Sequence, residues 1–196
     1  MRDWDNFTIK NTSISSIDLM ERSSINCAKQ IMLDFGIDCK FHVISNKGNN
    51  GGDGLVIARI LLEHNYTVRV SVINFSEDTS PDFRTNLDYL EKHTISDIDS
   101  ANNLKILDDE IIIDAIFGTG LNRQVDGDFS ILIQYINSFK SKIISIDIPS
   151  GLFSDDNRNN NGSIIKANIT YTFQCMKLSF LFPSYEKFVG EVKIID

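Results

Sequence analysis

The sequence predicts an α/β chain, a three-layer αβα sandwich around a mostly parallel sheet. Three observations predict it. Short apolar runs alternate with helical patterns in the order strand, helix, strand, helix, strand, helix, strand. The strand runs are nearly continuous in Ile and Val, as strands covered on both faces must be. Three of them end in clusters of Gly, Asn and Asp.

Residues 16–35 read as a helix, with Ser15 or Ser16 as cap and Gly36 as stop. KFHVIS at 40–45 is a short buried strand. SNKGNNGGDG at 45–54 reads as a glycine loop, and 53–64 as the helix that follows it, ending at Asn65. TVRVSVIN at 67–74 alternates and is β-branched, a strand. Residues 81–93 read as a helix with Pro81 in its first turn. EIIIDAIFG at 110–118 is a strand buried on both faces, 128–140 a weaker helix, and KIISIDIPSG at 142–151 another buried strand. The asparagine-rich 154–163 is a polar loop that reflects composition. NITYTFQ at 168–174 and EVKII at 191–195 close the chain as strands. Right-handed crossovers between parallel strands give a Rossmann-like sheet. No repeat or linker divides residues 1–196, so one domain is expected.

The chain has 196 residues, 42% of them hydrophobic, enough for one sizeable core. Its net charge of −8 carries no basic block, which argues against nucleic acid or an anionic membrane as partner. A phosphate-bearing ligand stays compatible, because a helix N-terminus can hold phosphate. Cys27, Cys39 and Cys175 form no C-x-x-C pair and read as free thiols in a reducing compartment. No run approaches a membrane span and the N-terminus lacks an apolar signal, so a cytoplasmic protein is expected.

In a parallel sheet the carboxyl ends of the strands share one edge, where ligands bind. Residues 46–54, 114–123 and 147–151 therefore converge there. Each glycine costs roughly 0.5–1 kcal/mol relative to alanine, so the run at 48–54 should answer a need for positive φ or for close backbone approach. It is neither the G-x-G-x-x-G dinucleotide fingerprint nor a Walker loop. Asp114 and Asp147 stand at the ends of apolar strands. Either each caps its following loop, or one binds a cation and the other does acid–base chemistry. Asn50, Asp114, Ser150 and nearby carbonyls would make an all-oxygen shell for a hard cation. His42, His64 and His93 are scattered and read as structural or exposed.

N-N-G-G-D-G at 49–54, D-A-I-F-G-T-G at 114–120 and D-I-P-S-G at 147–151 resemble the YjeF N-terminal domain family, the NAD(P)H-hydrate epimerases. Weaker echoes are Leu19-Met20-Glu21 and the segment from Ala167 to Phe173 with Lys177. The resemblance implies interconversion of the R and S forms of hydrated NADH or NADPH at C6 of the nicotinamide ring, supplying the S epimer to a dehydratase. It implies that Asn49, Asn50, Gly51, Gly52 and Asp53 contact the substrate. So would Gly118, Thr119, Gly120, Leu121, Asn122, Arg123 and Gln124, and so would Asp147, the candidate proton carrier. Asn50, Asp114 and Ser150 would bind one potassium ion per chain.

The chain departs from the family pattern at Ser23-Ser24, where a small Ala-Gly pair is usual, and it stops at Asp196 in a segment where members usually continue. Two readings of that ending stay open, a truncated chain or the epimerase half of a longer protein with a dehydratase, which makes a dehydratase partner or fused domain one expectation. The rival readings are a non-catalytic binding module for protein or RNA, whose members lose the strand-end residues, and an ordinary dehydrogenase, which the missing fingerprint disfavours. The helix at 16–35 carries more apolar positions than one buried stripe needs, so a homodimer is expected with this helix near the interface.

Overall fold

The structure, a computed structural model, describes residues 2–196, with side chains from residue 7 onward. Its elements are α1 (Arg2–Thr12), α2 (Ser16–Asp34), β1 (Lys40–Ser45), α3 (Asn49–Glu63), β2 (Thr67–Ile73), α4 (Pro81–Asp88) and β3 (Ile95–Ile98). They continue as β4 (Glu110–Ala115), α5 (Gly127–Ser138), β5 (Ile143–Ile146), β6 (Ile169–Phe173), α6 (Glu186–Val189) and β7 (Glu191–Ile195). The strands form one sheet in the order β3-β2-β1-β4-β5-β6-β7, and every pairing is parallel.

Strand alternation builds two cores. Val43, Ile113 and Ile144 point to one face, where α2, α3 and α4 pack through residues such as Ile31, Leu55 and Phe83. Ile44, Ile112 and Ile143 point to the other, against Leu132, Ile133 and Ile136 of α5. The three-layer sandwich follows directly from near-continuous apolar strands.

The structure corrects the sequence reading in four places. The glycine run is not a loop, because helix α3 begins at Asn49. The expected helix over 81–93 ends at Asp88, and β3 follows it as a short edge strand that a four-residue half-polar run does not announce. The helix α1 has no counterpart in that reading. And α2 hides most of its apolar surface within the chain: Met20, Cys27, Ala28 and Ile31 are buried in the first core, while Leu33 is 80% exposed.

Candidate functional site at the carboxyl edge of the sheet

The chain reverses direction across the sheet between β1 and β4, and the crevice lies beyond their carboxyl ends. Ser45 at the end of β1 stands opposite Ala115 of β4, and Asn46 N–H donates to the Ala115 carbonyl at 3.3 Å. Helix α3 starts almost at once. None of its glycines has positive φ, so the cause is close approach. A Cβ on Gly51 would lie 1.6 Å from the Asn46 carbonyl oxygen, and one on Gly54 would lie 2.5 Å from the Ala115 Cβ. The bare backbone lets the first turn of α3 press against the strand ends. Its cap, Gly48, offers no side-chain hydrogen bond, leaving first-turn N–H groups for a ligand.

This tight entry places Asn50 beside the loop after β4. A Cβ on Gly118 would come within 3.2 Å of both the Asn50 Cβ and Asp147 Oδ2. The three strand-end segments thus meet at Gly118. Thr119 N–H donates to Asp147 Oδ2 at 3.0 Å. Asn50 is buried, and neither its amide oxygen nor its amide nitrogen has a protein partner. Such a group is costly unless something else completes it.

Asp147 sits in a strained conformation, with φ of 67°. Ile148 N–H turns back to the Ile146 carbonyl at 2.8 Å, making Asp147 the centre of a γ-turn with positive φ. β6 ends in the same way: Gln174 has φ of 65°, and Cys175 N–H donates to the Phe173 carbonyl at 2.7 Å. Both central residues also donate to the next strand, Asp147 to Tyr171 and Gln174 to Ile195. The matched turns bring Lys177 Nζ to 2.9 Å from Asp147 Oδ1. The sequence reading counted Lys177 among the weaker family echoes but gave it no role.

Asp114 is fully buried without a described cationic side chain on it. It accepts from Ser150 Oγ at 2.5 Å, Ser150 N–H at 2.9 Å, Ser145 Oγ at 2.7 Å and Ile116 N–H at 3.3 Å. Burial pushes its carboxyl above the usual carboxylate range against the pull of these neutral donors. Ser150 Oγ also lies 3.3 Å from the Phe117 carbonyl and accepts from Phe117 N–H at 2.8 Å. Asp114 and Ser150 thus share one hydrogen-bonded cluster, and Gly118 ties Asn50 to Asp147.

Other expected site residues are spread around this centre. Asn49 is exposed at the start of α3. The Asp53 carboxylate accepts from Ser24 Oγ at 2.8 Å, so Ser24 supplies a hydroxyl where the family pattern has a small apolar residue. Leu121, Arg123 and Gln124 line a cavity of about 510 Å³ with Lys47, Gly48, Phe117 and Phe129. Gln124 also donates to the Asn159 carbonyl. Thr119, Gly120, Leu121 and Asn122 line a second cavity of about 410 Å³, which Asp155 and Asp156 make acidic. His42 is buried against Ser71 Oγ at 2.8 Å, and His93 is exposed. Among the described residues no cluster of three or more His, Cys, Asp or Glu could hold a metal, and no helix is long and apolar enough to cross a membrane.

Residues 16–179 match the family model described as YjeF-related protein N-terminus. The chain is 33% identical over its whole length to the NAD(P)H-hydrate epimerase of Limosilactobacillus fermentum, covering 93% of that protein. It is 38% identical to that of Anaerococcus prevotii over 90% of this chain and 83% of the relative. It is 32% identical to the Bifunctional NAD(P)H-hydrate repair enzyme Nnr of Moorella thermoacetica, spanning 93% of this chain but 36% of that protein. The crystal structure of yeast ynu0 superimposes with a TM-score of 0.78 at 22% identity, covering 98% of this chain and 84% of that one, a likeness of fold.

Proposed function

The chain belongs to the family of YjeF-related N-terminal domains, and from that premise we infer that it is an NAD(P)H-hydrate epimerase, an isomerase acting on hydrated NADH and NADPH at C6 of the nicotinamide ring. The observation that carries the reading is full-length similarity to epimerases, joined to the meeting of Asn50, Gly118 and Asp147 at one point. The binding-module alternative is not supported, since the relatives matched along the whole chain are epimerases and the strand-end residues are intact.

Asp147 is the proton carrier in this proposal. On the face away from Asp147 the C6 hydroxyl takes a proton from solvent as the ring nitrogen expels it as water, leaving an iminium. Water adding from the Asp147 side forms the new C6–O bond, gives its proton to the carboxylate, and returns the C=N electron pair to nitrogen; the carboxylate then returns that proton to solvent. Run backwards, protonated Asp147 delivers the same proton to the departing hydroxyl. The strained turn holds this carboxylate at the crevice, and Thr119 N–H orients it.

The nicotinamide end sits against Gly118 and Asp147, and the rest of the dinucleotide follows the larger cavity. Lys47 and Arg123 supply positive charge there for phosphates. Phe117 and Phe129, with ring centroids 4.8 Å apart, supply an aromatic wall. The smaller cavity carries Asp155, which repels phosphate, while Asp156 beside it is paired with Arg158.

Potassium is the cofactor we propose, held by Asn50, Asp114 and Ser150. The donor set fits: the Asn50 oxygen is buried and unpartnered, and Asp114 is a buried carboxylate with only neutral donors on it. The four donors on Asp114 fill its acceptor sites; turning the Ser150 hydroxyl to the Phe117 carbonyl frees one acceptor site on Oδ1, which keeps the bond from Ile116 N–H. The ion supplies a fixed positive charge that a lone buried carboxylate needs. One carboxylate among neutral oxygens matches a monovalent ion better than a divalent one.

A homodimer is part of the same proposal, resting now on exposed Leu33, Ile37 and Ile194 at the end of α2 and on β7. A dehydratase, separate or fused, would consume the S epimer; the repair enzyme of Moorella thermoacetica is named as bifunctional. Three free cysteines fit a cytoplasmic setting. The test is an exchange assay in which an S-specific dehydratase drains the S epimer. The expected result is complete consumption of pure R epimer; R epimer that persists beside an active dehydratase overturns the reading.

A further inference from the structure

We infer that Lys177 is a positioning residue for Asp147, built into the site by the paired turns at the ends of β5 and β6; this rests on the epimerase reading. Lys177 is 4% exposed. Its Nζ donates to the Phe173 carbonyl at 2.9 Å and the Cys175 carbonyl at 3.3 Å, and lies 2.9 Å from Asp147 Oδ1. All three neighbours are acceptors. The two carbonyls take hydrogen bonds from Nζ, and Asp147 Oδ1 faces it as the carboxylate of an ion pair; a buried lysine head surrounded by oxygens calls for such a partner.

The geometry gives the pair a task. The two carbonyls come from the γ-turn centred on Gln174, the twin of the one that holds Asp147. Lys177 reads the position of one turn and grips the carboxylate carried by the other. Asp147 is then fixed at both oxygens, Oδ1 by Lys177 and Oδ2 by Thr119 N–H. A carboxylate held at both ends cannot rotate away from a water approaching C6, and misplacement by about 1 Å costs on the order of 10²-fold in rate. The proton that moves passes between water and Asp147, and Lys177 takes no part in the transfer.

A lysine that merely caps β6 would leave turnover alone once the protein has folded, which separates the two roles. The experiment measures kcat and KM for R-epimer exchange in wild type, K177M, K177R and D147N, and in D147N/K177M, with circular dichroism as the check of fold. The expected result is a K177M protein that loses about 10²-fold in kcat with KM changed less than about threefold, and a K177R protein that recovers at least about tenfold of the loss. On the D147N background, K177M should cost nothing more. An unchanged kcat in folded K177M, or an equal loss on both backgrounds, overturns the inference. Should K177M not fold, K177R and the uncharged double variant decide: K177R must retain turnover that D147N/K177M lacks, and equal turnover in the two overturns it. Isotope-edited infrared of the resting protein gives a reading independent of turnover. The Asp147 carboxylate band should shift and broaden in K177M, and an unmoved band overturns the inference even if the wild type exchanges no epimers, the result that would instead sink the epimerase reading.

Discussion

At the scale of single residues, Asp147 joins backbone strain to chemistry. Its φ of 67° costs about 1–3 kcal/mol, which the surrounding sheet must sustain. Asn tolerates the left-handed region nearly as well as Asp, so D147N tests charge without disturbing the turn. The expected outcome is a loss of about 10²–10⁴-fold in exchange rate with an unchanged circular dichroism spectrum. Asp114 makes a second prediction through its raised pKa. The unfolded chain ionises near 3.8, while the folded carboxyl holds its proton to higher pH because of burial. Between those points the folded state binds more protons, so this residue's contribution to stability falls as pH rises. A potassium ion at the site reverses that loss. Melting temperature should rise with KCl, against tetramethylammonium chloride of equal ionic strength, at about pH 7; the effect should shrink toward about pH 4 and vanish in D114N. Melts indifferent to potassium in the wild type would refute the cation site.

At the scale of elements, α3 explains why glycine is concentrated where it is. The sequence correctly posed the choice between positive φ and close approach, but period and composition could not select between them. The answer lies in the Asn46 carbonyl and Ala115 Cβ, partners that exist only once β1 and β4 are paired. G51A should therefore lower stability by more than about 3 kcal/mol in thermal or urea melts. G48A, whose Cβ would meet nothing within 4 Å, should stay within about 1 kcal/mol; similar costs for both would refute the steric account. The same contrast governs how much was legible. Long apolar strands announced themselves, and so did the polar ends that carry Asn50, Asp114 and Asp147. The half-polar β3 did not, and neither did Lys177 as a partner of Asp147. That ion pair depends on two γ-turns whose positive φ falls on Asp and Gln rather than on glycine, where a reader looks for it.

At the scale of the whole molecule, assembly and order of formation are at stake. Most of α2 is covered by its own chain, which leaves Leu33, Ile37 and Ile194 to carry the case for a second copy. Light scattering at micromolar concentration should find twice the 22.2 kDa chain mass, and L33K should reduce it to the monomer; a concentration-independent monomer would refute the dimer. The position of β1 between β2 and β4 has a kinetic consequence. β1 pairs with β2, made soon after it, and with β4, made only after β2, α4 and β3 are in place. Closing the second seam requires the larger loop, so it carries the greater entropic cost and should come later. Pulse-labelled hydrogen exchange during refolding should protect the β1–β2 amides before those of β4, and simultaneous protection would refute that sequence of events. The crevice lies on the late seam. A half-folded chain would possess a sheet, a core and α3, yet no place for a ligand to sit, and ligand added during refolding could speed only the final closure.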